Sequence, residues 1–252
     1  MRPGTVVQIS EMADRPYASV LCYPCTDSSV INERIEELKS CGVTAVEFGG
    51  NGRALGVPVL GKGHTGIVVI AHAGGKRTAL KMRRPDGNKE DMFREAEMLQ
   101  AANNIGIGPK FIAVTKNFLI YELIDGDIIE NWMSRHTEKD IKKMMTDILM
   151  QCRRLDDAGI DHGELRIAPR HLLVGKDGRP YMIDLETAST DRNAINVSSV
   201  CHYFFFGKCA VRDIITNTMG EADRDGIVEA LRDYKSERSD ASFKALLKAC
   251  RL

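Results

Sequence analysis

The feature that most limits the fold is a glycine-rich stretch that runs directly into β-branched residues. Residues 60–70 read LGKGHTGIVVI, so the pattern G-x-G-x-x-G is followed at once by a run that favours a strand. In a dinucleotide-binding unit the same pattern opens a helix, whose N-terminus faces the pyrophosphate. Because a strand follows here, the pattern predicts a hairpin whose backbone can lie close over phosphates. A surface turn without a ligand is the alternative.

Strand and helix signals are unevenly distributed along the chain. Residues 57–121 carry mostly strand signals, interrupted by one helix expected at about residues 89–102. After Gly126 helical patterns dominate, including a long amphipathic stretch over residues 138–158. A strand-rich half followed by a helix-rich half predicts an α+β protein with two lobes and a cleft between them.

The first fifty residues are expected to be an N-terminal extension. Residues 1–28 look irregular, Asp27-Ser28-Ser29 is expected to cap a short helix that Gly42 stops, and residues 43–48 alternate like a strand. This extension is predicted to cap a lobe, with a surface for a partner protein as the alternative. The expected organisation is therefore extension 1–50, β-rich N-lobe 51–125 and helical C-lobe 126–252.

Composition and charge argue against several classes of partner. The 35 basic and 35 acidic residues cancel, so no general attraction to nucleic acid or to an anionic membrane is expected, and a local basic patch stays open. No apolar run approaches the ~18 residues that cross a bilayer. The seven cysteines suit free thiols in a reducing cytoplasm. Cys22 and Cys25 are the only close pair, and a metal or redox role and two small buried thiols both stay open for them.

A lysine on an apolar strand marks a candidate anion site in the β-rich half. Residues 78–82 read TALKM, and a lysine that ends such a run needs an anionic partner if it faces a cleft. The following helix, FREAEMLQ over residues 93–100, offers Glu95 and Glu97. Glu95 lies one turn before Leu99, which is expected to face the core, and from the residues alone either acid could be the partner.

A second candidate site lies in the helix-rich half, around a predicted hairpin. Residues 171–174, HLLV, and 181–186, YMIDLE, flank Asp177-Gly178, which is a strong hairpin turn. This turn brings Glu164, His171, Asp184 and Glu186 to one end of the hairpin.

Taken in order, these motifs resemble those of the protein-kinase-like superfamily. The glycine loop ends in G-x-V like the kinase form, TALK resembles V-A-I-K, HGE resembles H-R-D or H-G-D, and DLE resembles the metal-binding Asp segment. The likeness is greatest to small archaeal predicted serine/threonine kinases, akin to the RIO kinases and the kinase of the KEOPS complex. It covers residues 60–186, about half the chain.

The resemblance implies an atypical serine/threonine protein kinase that uses ATP with Mg²⁺, or with Mn²⁺ as the alternative ion. It implies a catalytic set of Glu164 as the base with the pair Lys81 and Glu95. Glu95 is chosen because in kinases a Glu four residues before a Leu pairs with this lysine, and Glu97 is the reserve. The nucleotide-binding positions implied are Gly61, Gly63, Gly66, Val68, Lys81 and, through the backbone at the end of FLIYELIDG, Glu122 and Ile124. The implied metal ligands are Asp184, His171 and Glu186. The protein substrate is not identified by any motif.

Four departures from the family pattern leave other functions open. Glu164 replaces an Asp, which moves the carboxylate by one methylene, and His171 stands in place of the metal-binding Asn although Mg²⁺ prefers oxygen. Glu186 resembles an acid of aminoglycoside-phosphotransferase-type kinases, so a small-molecule kinase is one alternative. Only 66 residues follow Glu186 and they contain no A-P-E, which predicts a small, truncated C-lobe. A nucleotide-binding pseudokinase scaffold is the other alternative.

Overall fold

The structure is a computed structural model that describes residues 4–24, 27–168 and 170–252. Contacts within the chain divide it into two units. The first unit comprises residues 1–103 and 109–125, and the second comprises residues 104–108 and 126–252. Cys22 is buried, whereas Cys25 lies outside the described residues.

The first unit is built around an antiparallel sheet. Its strands are β1 (Thr5–Gln8), β2 (Val43–Phe48), β3 (Gly52–Ala54), β4 (Val57–Val59), β5 (Gly61–Lys62), β6 (Gly66–Ala73), β7 (Lys76–Arg83), β8 (Phe111–Val114) and β9 (Phe118–Glu122). Within the described ranges the main sheet has seven strands, in the order β1-β2-β6-β7-β9-β8, and β5 also pairs with β6. Strands β3 and β4 form a separate two-stranded ribbon.

The centre of this sheet is apolar because β6 and β7 are rich in β-branched and aliphatic residues. Val69, Leu80 and Ile120 are completely buried in it. Three helices accompany the sheet: α1 (Tyr17–Leu21), α2 (Ser28–Ser40) and α3 (Phe93–Asn104). Helix α2 starts at the predicted cap, where the carboxylate of Asp27 accepts a 2.8 Å hydrogen bond from the backbone N–H of Ser29.

The expectation that residues 1–28 are irregular is wrong. Strand β1 pairs with β2, with Val7 opposite Val46, and β2 pairs with β6. A four-residue strand has too little pattern of its own, and the pairing with β2 supplies the hydrogen bonds that define it. Residues 1–50 therefore contribute two strands to the main sheet.

A fully buried arginine ties these N-terminal elements to the sheet. Arg34, on α2, is 2% exposed. Its guanidinium donates to the carbonyl oxygens of Leu21 at 2.8 Å and Arg83 at 2.9 Å, and to Oδ1 of Asn117 at 2.9 Å. One side chain thus joins α1, α2, the end of β7 and the turn before β9.

Replacing Arg34 by Met is expected to lower the free energy of unfolding by about 2–4 kcal/mol, because buried carbonyl groups lose their donor. Urea denaturation measures this change. Lys39→Met, on the same helix, is the control, since Lys39 pairs only with the exposed Glu36 and should cost about 0.5 kcal/mol or less. Equal effects of the two substitutions would contradict the role given to Arg34.

The second unit is mainly helical. Its helices are α4 (Ile129–Met133), α5 (Glu138–Asp157), α6 (Asn196–Cys201), α7 (Ala210–Met219), α8 (Arg224–Glu237) and α9 (Asp240–Ala249), and a π-helical turn covers His202–Phe206. A three-stranded sheet joins β10 (Gly126–Ile128), β11 (Leu172–Gly175) and β12 (Pro180–Met182) in that order. Helix α5 follows the predicted amphipathic stretch and buries Ile141, Ile148 and Leu155 completely.

Strand β10 differs from the prediction, because helical patterns were predicted after Gly126. It forms by pairing with β11. In the described part of the chain, no helix combines the length and the apolar character that a membrane span needs.

Candidate active site

The predicted glycine hairpin is present in the first unit. Strand β5 pairs with β6, and the backbone N–H of Gly63 donates to the carbonyl oxygen of Gly66 at 2.8 Å. A Cβ atom at Gly66 would lie 3.1 Å from Cε of Lys81, so glycine gives the lysine stem room to pass. Val68 lies opposite Lys81 in the register of β6 and β7, which places both side chains on one face.

Lys81 and Glu95 form a buried ion pair in this unit. The Nζ atom of Lys81 lies 2.8 Å from Oε1 of Glu95, and the two residues are 5% and 4% exposed. The other carboxylate oxygen of Glu95 accepts from Lys89. Glu97, the reserve candidate, is exposed. Burying charges costs free energy that ion pairing only partly returns, so this group is not explained by stability alone.

The predicted adenine-contacting segment follows β9, which ends at Glu122. The backbone N–H of Glu122 donates to the carbonyl oxygen of Lys110 at 2.8 Å, and its Oε2 accepts from the N–H of Lys110 at 3.1 Å. Ile124 lies in the irregular segment between β9 and β10 and is half-buried. The structure fixes the start of this segment and leaves its contact with adenine a prediction.

In the second unit the predicted hairpin is formed by β11 and β12. The turn contains Asp177, whose carboxylate accepts from the backbone N–H of Arg179 at 3.1 Å, and Gly178, at φ 76°. The backbone N–H of Arg179 and the side chains of Arg179 and Tyr181 lower the pKa of Asp177 to about 2. This turn places His171 just before β11 and Asp184 just after β12.

Three of the predicted site residues of this unit come together. Ligand atoms of Glu164, His171 and Asp184 all lie within 4.8 Å of one another. Nε2 of His171 lies 3.4 Å from Oε2 of Glu164, and its Nδ1 lies 4.0 Å from Oδ2 of Asp184. Glu186, the other predicted ligand, is not a member of this three-residue group, but a carboxylate oxygen of Glu186 lies within 4.8 Å of one of Asp184.

The backbone at Asp184 is in the left-handed region, with φ 65°. Among side-chain-bearing residues, Asp and Asn tolerate this conformation best, because their short polar groups can bond locally. Strained residues of this kind cluster at functional sites. The conformation sets the direction of the Asp184 side chain, which is 40% exposed.

His162 supports the group from inside the unit. Burial, with a smaller contribution from His171, lowers the pKa of His162 to about 4, so its ring is neutral near pH 7. Its Nε2 lies 3.2 Å from the carbonyl oxygen of Ile183, and its ring meets the ring of His171 edge-on at 5.7 Å. A neutral ring that donates to this carbonyl fixes the residue before Asp184 in place.

Sequence reasoning missed the residues that hold the loop before Glu164. Asp161 is 5% exposed and binds the guanidinium of Arg192. Gly163 has φ 88°, and a Cβ atom there would lie 2.3 Å from Nη2 of Arg192. The sequence signal that comes nearest is Gly163 itself, because glycine is common where the backbone needs a positive φ.

A buried amide completes this support. Oδ1 of Asn196 accepts from the backbone N–H of His162 at 2.9 Å, and its Nδ2 donates to Asp156 at 2.8 Å. Desolvation raises the pKa of Asp156, against the lowering effect of the groups that bond to it. No motif distinguishes Asn196 or Asp156 from other polar residues in the sequence.

The donor set of the second unit fits a divalent cation. Two carboxylates and one imidazole whose ligand atoms lie within 4.8 Å of one another are a donor set of the kind found at protein metal sites. The nitrogen donor matters for the choice of ion, because Mg²⁺ prefers oxygen and Mn²⁺ accepts imidazole more readily.

Comparison with known proteins gives three findings. Residues 76–196 match the family model of the RIO domain. A 106-residue stretch is 28% identical to the KEOPS complex subunit Bud32 of Pyrococcus abyssi, covering 41% of this chain and 47% of that protein. A solved structure described as a kinase domain has a TM-score of 0.44 and 20% identity, and covers 52% of this chain and 50% of that one.

The predicted resemblance to RIO and KEOPS-type atypical kinases is confirmed. The predicted α+β, kinase-like fold class is confirmed as well. The RIO match starts at the first residue of β7 and includes Lys81, Glu95, Glu164 and Asp184, but it does not include the glycine hairpin. The chain spans about half the length of the curated relative that it matches. The family match and the curated relative thus both make this chain similar to RIO- and Bud32-type kinase-like proteins.

Proposed function

We propose that this chain is an atypical serine/threonine protein kinase that transfers the γ-phosphate of ATP to a protein hydroxyl, with a divalent cation as cofactor. The observation that carries the proposal is the buried Lys81–Glu95 pair, at 2.8 Å on a strand inside the region similar to the RIO domain. In phosphotransferases of this superfamily such a lysine binds nucleotide phosphates and the glutamate holds it in position.

The first unit supplies the nucleotide-binding groups in this proposal. The hairpin with Gly61, Gly63 and Gly66 covers the phosphates, and Lys81 neutralises part of their charge. The backbone at Glu122 and Ile124 binds adenine.

The second unit supplies the groups that act on the acceptor. Asp184 and His171 hold the divalent cation, which when bound neutralises phosphate charge. Glu164, at the end of the loop fixed by His162 and Asn196, orients the attacking hydroxyl and accepts its proton. Its carboxylate is 38% exposed and therefore accessible to an acceptor.

The direct test is incubation of the full chain with γ-³²P-labelled ATP and either Mg²⁺ or Mn²⁺, alone and with cell extract. Label on protein serine or threonine supports the proposal. Label on a small metabolite would instead identify a small-molecule kinase, the alternative suggested by Glu186. Nucleotide binding without turnover, in wild type and Glu164→Gln alike, would identify a pseudokinase scaffold.

We also propose that the chain works with protein partners inside the cell, in the cytoplasm. The support is the relative named as a subunit of the KEOPS complex. Co-purification of the tagged full chain from its own cells tests this, and recovery of the chain alone at physiological salt would contradict it.

Replacing His171 by Asn is expected to reduce the preference for Mn²⁺ over Mg²⁺ by about tenfold. The wild-type site offers an imidazole nitrogen, which suits Mn²⁺, whereas the amide of Asn offers an oxygen, which suits Mg²⁺. Loss of a residue that only hydrogen-bonds to a metal ligand typically lowers metal affinity by about 10–100-fold, and tenfold is the lower end of that range. Electron paramagnetic resonance of free Mn²⁺, with Mg²⁺ as competitor, measures both affinities without relying on activity.

His136→Asn is the control, because His136 is exposed and lies in the same unit, on the turn after α4. It should leave both affinities unchanged. An unchanged ratio of affinities in His171→Asn would show that the imidazole does not bind the ion.

A further inference from the structure

Arg84, the residue directly after β7, makes four bonds around the glycine hairpin. Its Nη1 donates to the carbonyl oxygen of Gly63 at 2.8 Å, and its backbone N–H donates to the carbonyl oxygen of Thr65 at 2.7 Å. Its Nε and Nη2 donate to the carboxylate of Asp86 at 3.0 and 2.7 Å. The Arg84 side chain is only 16% exposed. Two carbonyl groups of the turn are therefore held by one residue.

Holding these carbonyl groups also sets the direction of two amides. In a trans peptide unit the C=O and the N–H of the next residue point in opposite directions. The N–H of His64 therefore points away from the atom that holds the Gly63 carbonyl. The N–H of Gly66 likewise points away from the atom that holds the Thr65 carbonyl. Backbone N–H groups of a turn can line a concavity that binds anions, and fixed carbonyl groups keep these two amides in one direction.

Tyr23, from the N-terminal extension, supports this arrangement. The guanidinium carbon of Arg84 lies 4.8 Å from the centre of the Tyr23 ring, and Nζ of Lys62 lies 4.2 Å from the same ring. Nζ of Lys62 also donates to the Tyr23 hydroxyl at 2.9 Å. Lys62 is the residue between the first two glycines. The aromatic ring thus contacts one cation of the hairpin and the cation that anchors its turn.

An ordinary surface ion pair does not explain this set of contacts. The pair with Asp86 is local, two residues along the chain, and such exposed pairs contribute little to stability. The bond to Gly63 instead spans 21 residues, and the contact with Tyr23 spans 61 (84 − 23). Long-range contacts that converge on one glycine turn fix the conformation of that turn.

We propose that Arg84, held by Tyr23 and Asp86, is a positioning residue that directs the amides of His64 and Gly66 toward the phosphates of a bound nucleotide. This inference rests on the proposed function, and it gives the N-terminal extension a part in nucleotide binding.

The test compares ATP with adenosine, because a residue that acts on the phosphate-binding turn should affect only the ligand that carries phosphates. Affinities of wild type and variants are measured by competition with a fluorescent ATP analogue in the presence of Mn²⁺. Arg84→Met should weaken ATP binding about tenfold, the effect of one lost charge-assisted hydrogen bond, and leave adenosine unchanged. Arg84→Lys, which keeps one donor, should fall between.

Two variants at Tyr23 separate the contribution of its ring from that of its hydroxyl. Tyr23→Ala should weaken ATP binding, whereas Tyr23→Phe, which keeps the ring but loses the hydroxyl, should stay near wild type. Arg53→Met is the matched control: Arg53 also donates to a hairpin carbonyl of this unit, that of Gly56 at 2.8 Å, but it lies outside the glycine turn.

The outcomes distinguish a failure of the proposed function from a failure of the role given to Arg84. If wild type binds neither ATP nor adenosine, the proposed function fails and this inference falls with it. If wild type binds ATP and Arg84→Met binds it equally well, only the inference is overturned. Equal weakening of ATP and adenosine would show a general structural role and would overturn it too.

Discussion

Replacing Lys81 by Met is expected to reduce phosphotransfer from ATP by about 10²–10³-fold, the loss that follows removal of one preorganised electrostatic group from an active site. The methionine keeps the length of the lysine stem beside Gly66 but removes the charge that the proposal assigns to phosphate binding. Glu95 keeps Lys89 as a partner. The fold should therefore persist, with the free energy of unfolding lowered by about 1–3 kcal/mol. Initial rates at saturating ATP, together with a thermal melt, measure both quantities.

Lys89→Met is the matched control, because it removes the other cation that contacts the same Glu95 carboxylate. The proposal assigns no phosphate contact to Lys89, whose substitution should therefore cost less than tenfold in rate. If the two variants lose activity equally, the rate depends on the positive charge near Glu95 and not on a specific contact of Lys81. Undiminished activity in Lys81→Met would remove the basis of the proposed function.

The parts of the fold that could be predicted from the sequence are those set by local signals. The hairpin around Asp177-Gly178 is a two-strand pattern with a turn that only a few residue types allow. The start of α2 at Asp27 and the course of α5 follow from capping and from a helical apolar period. The pairing of Lys81 with Glu95 was expected from the kinase-like motif, and burial of Leu99, one turn after Glu95, agrees with that helix face.

The parts that could not be predicted depend on contacts between distant segments. Strand β10 has only three residues and exists because β11 lies beside it. Asn196 bonds to the backbone of His162 across 34 residues, and no local pattern marks such a partner. The contact between Tyr23 and Arg84 belongs to the same class. Side chains that support a site from far away in the chain carry no motif, because any polar residue of the right length can serve.

Replacing Asp184 by Asn is expected to weaken binding of Mn²⁺ at least about tenfold and to reduce phosphotransfer by about 10²–10³-fold. Asn is the informative substitution because it tolerates the positive φ of 65° at this position, whereas Ala would add backbone strain to the loss of the carboxylate. The amide retains one oxygen but has no negative charge to offer a cation. Direct Mn²⁺ binding and the rate of phosphotransfer are measured on the same preparation.

Asp177→Asn is the control, since it removes a carboxylate from the opposite end of the same hairpin. Asp177 bonds to Arg179 and Tyr181 and is not a member of the group formed by Glu164, His171 and Asp184. Its loss should lower stability slightly and leave Mn²⁺ affinity unchanged, because the charge that it carries is already used within the turn. Equal loss of Mn²⁺ affinity in both variants would mean that Mn²⁺ binding depends on the total negative charge of the hairpin and not on the carboxylate of Asp184. Unchanged affinity in Asp184→Asn would mean that this group is not the cation site.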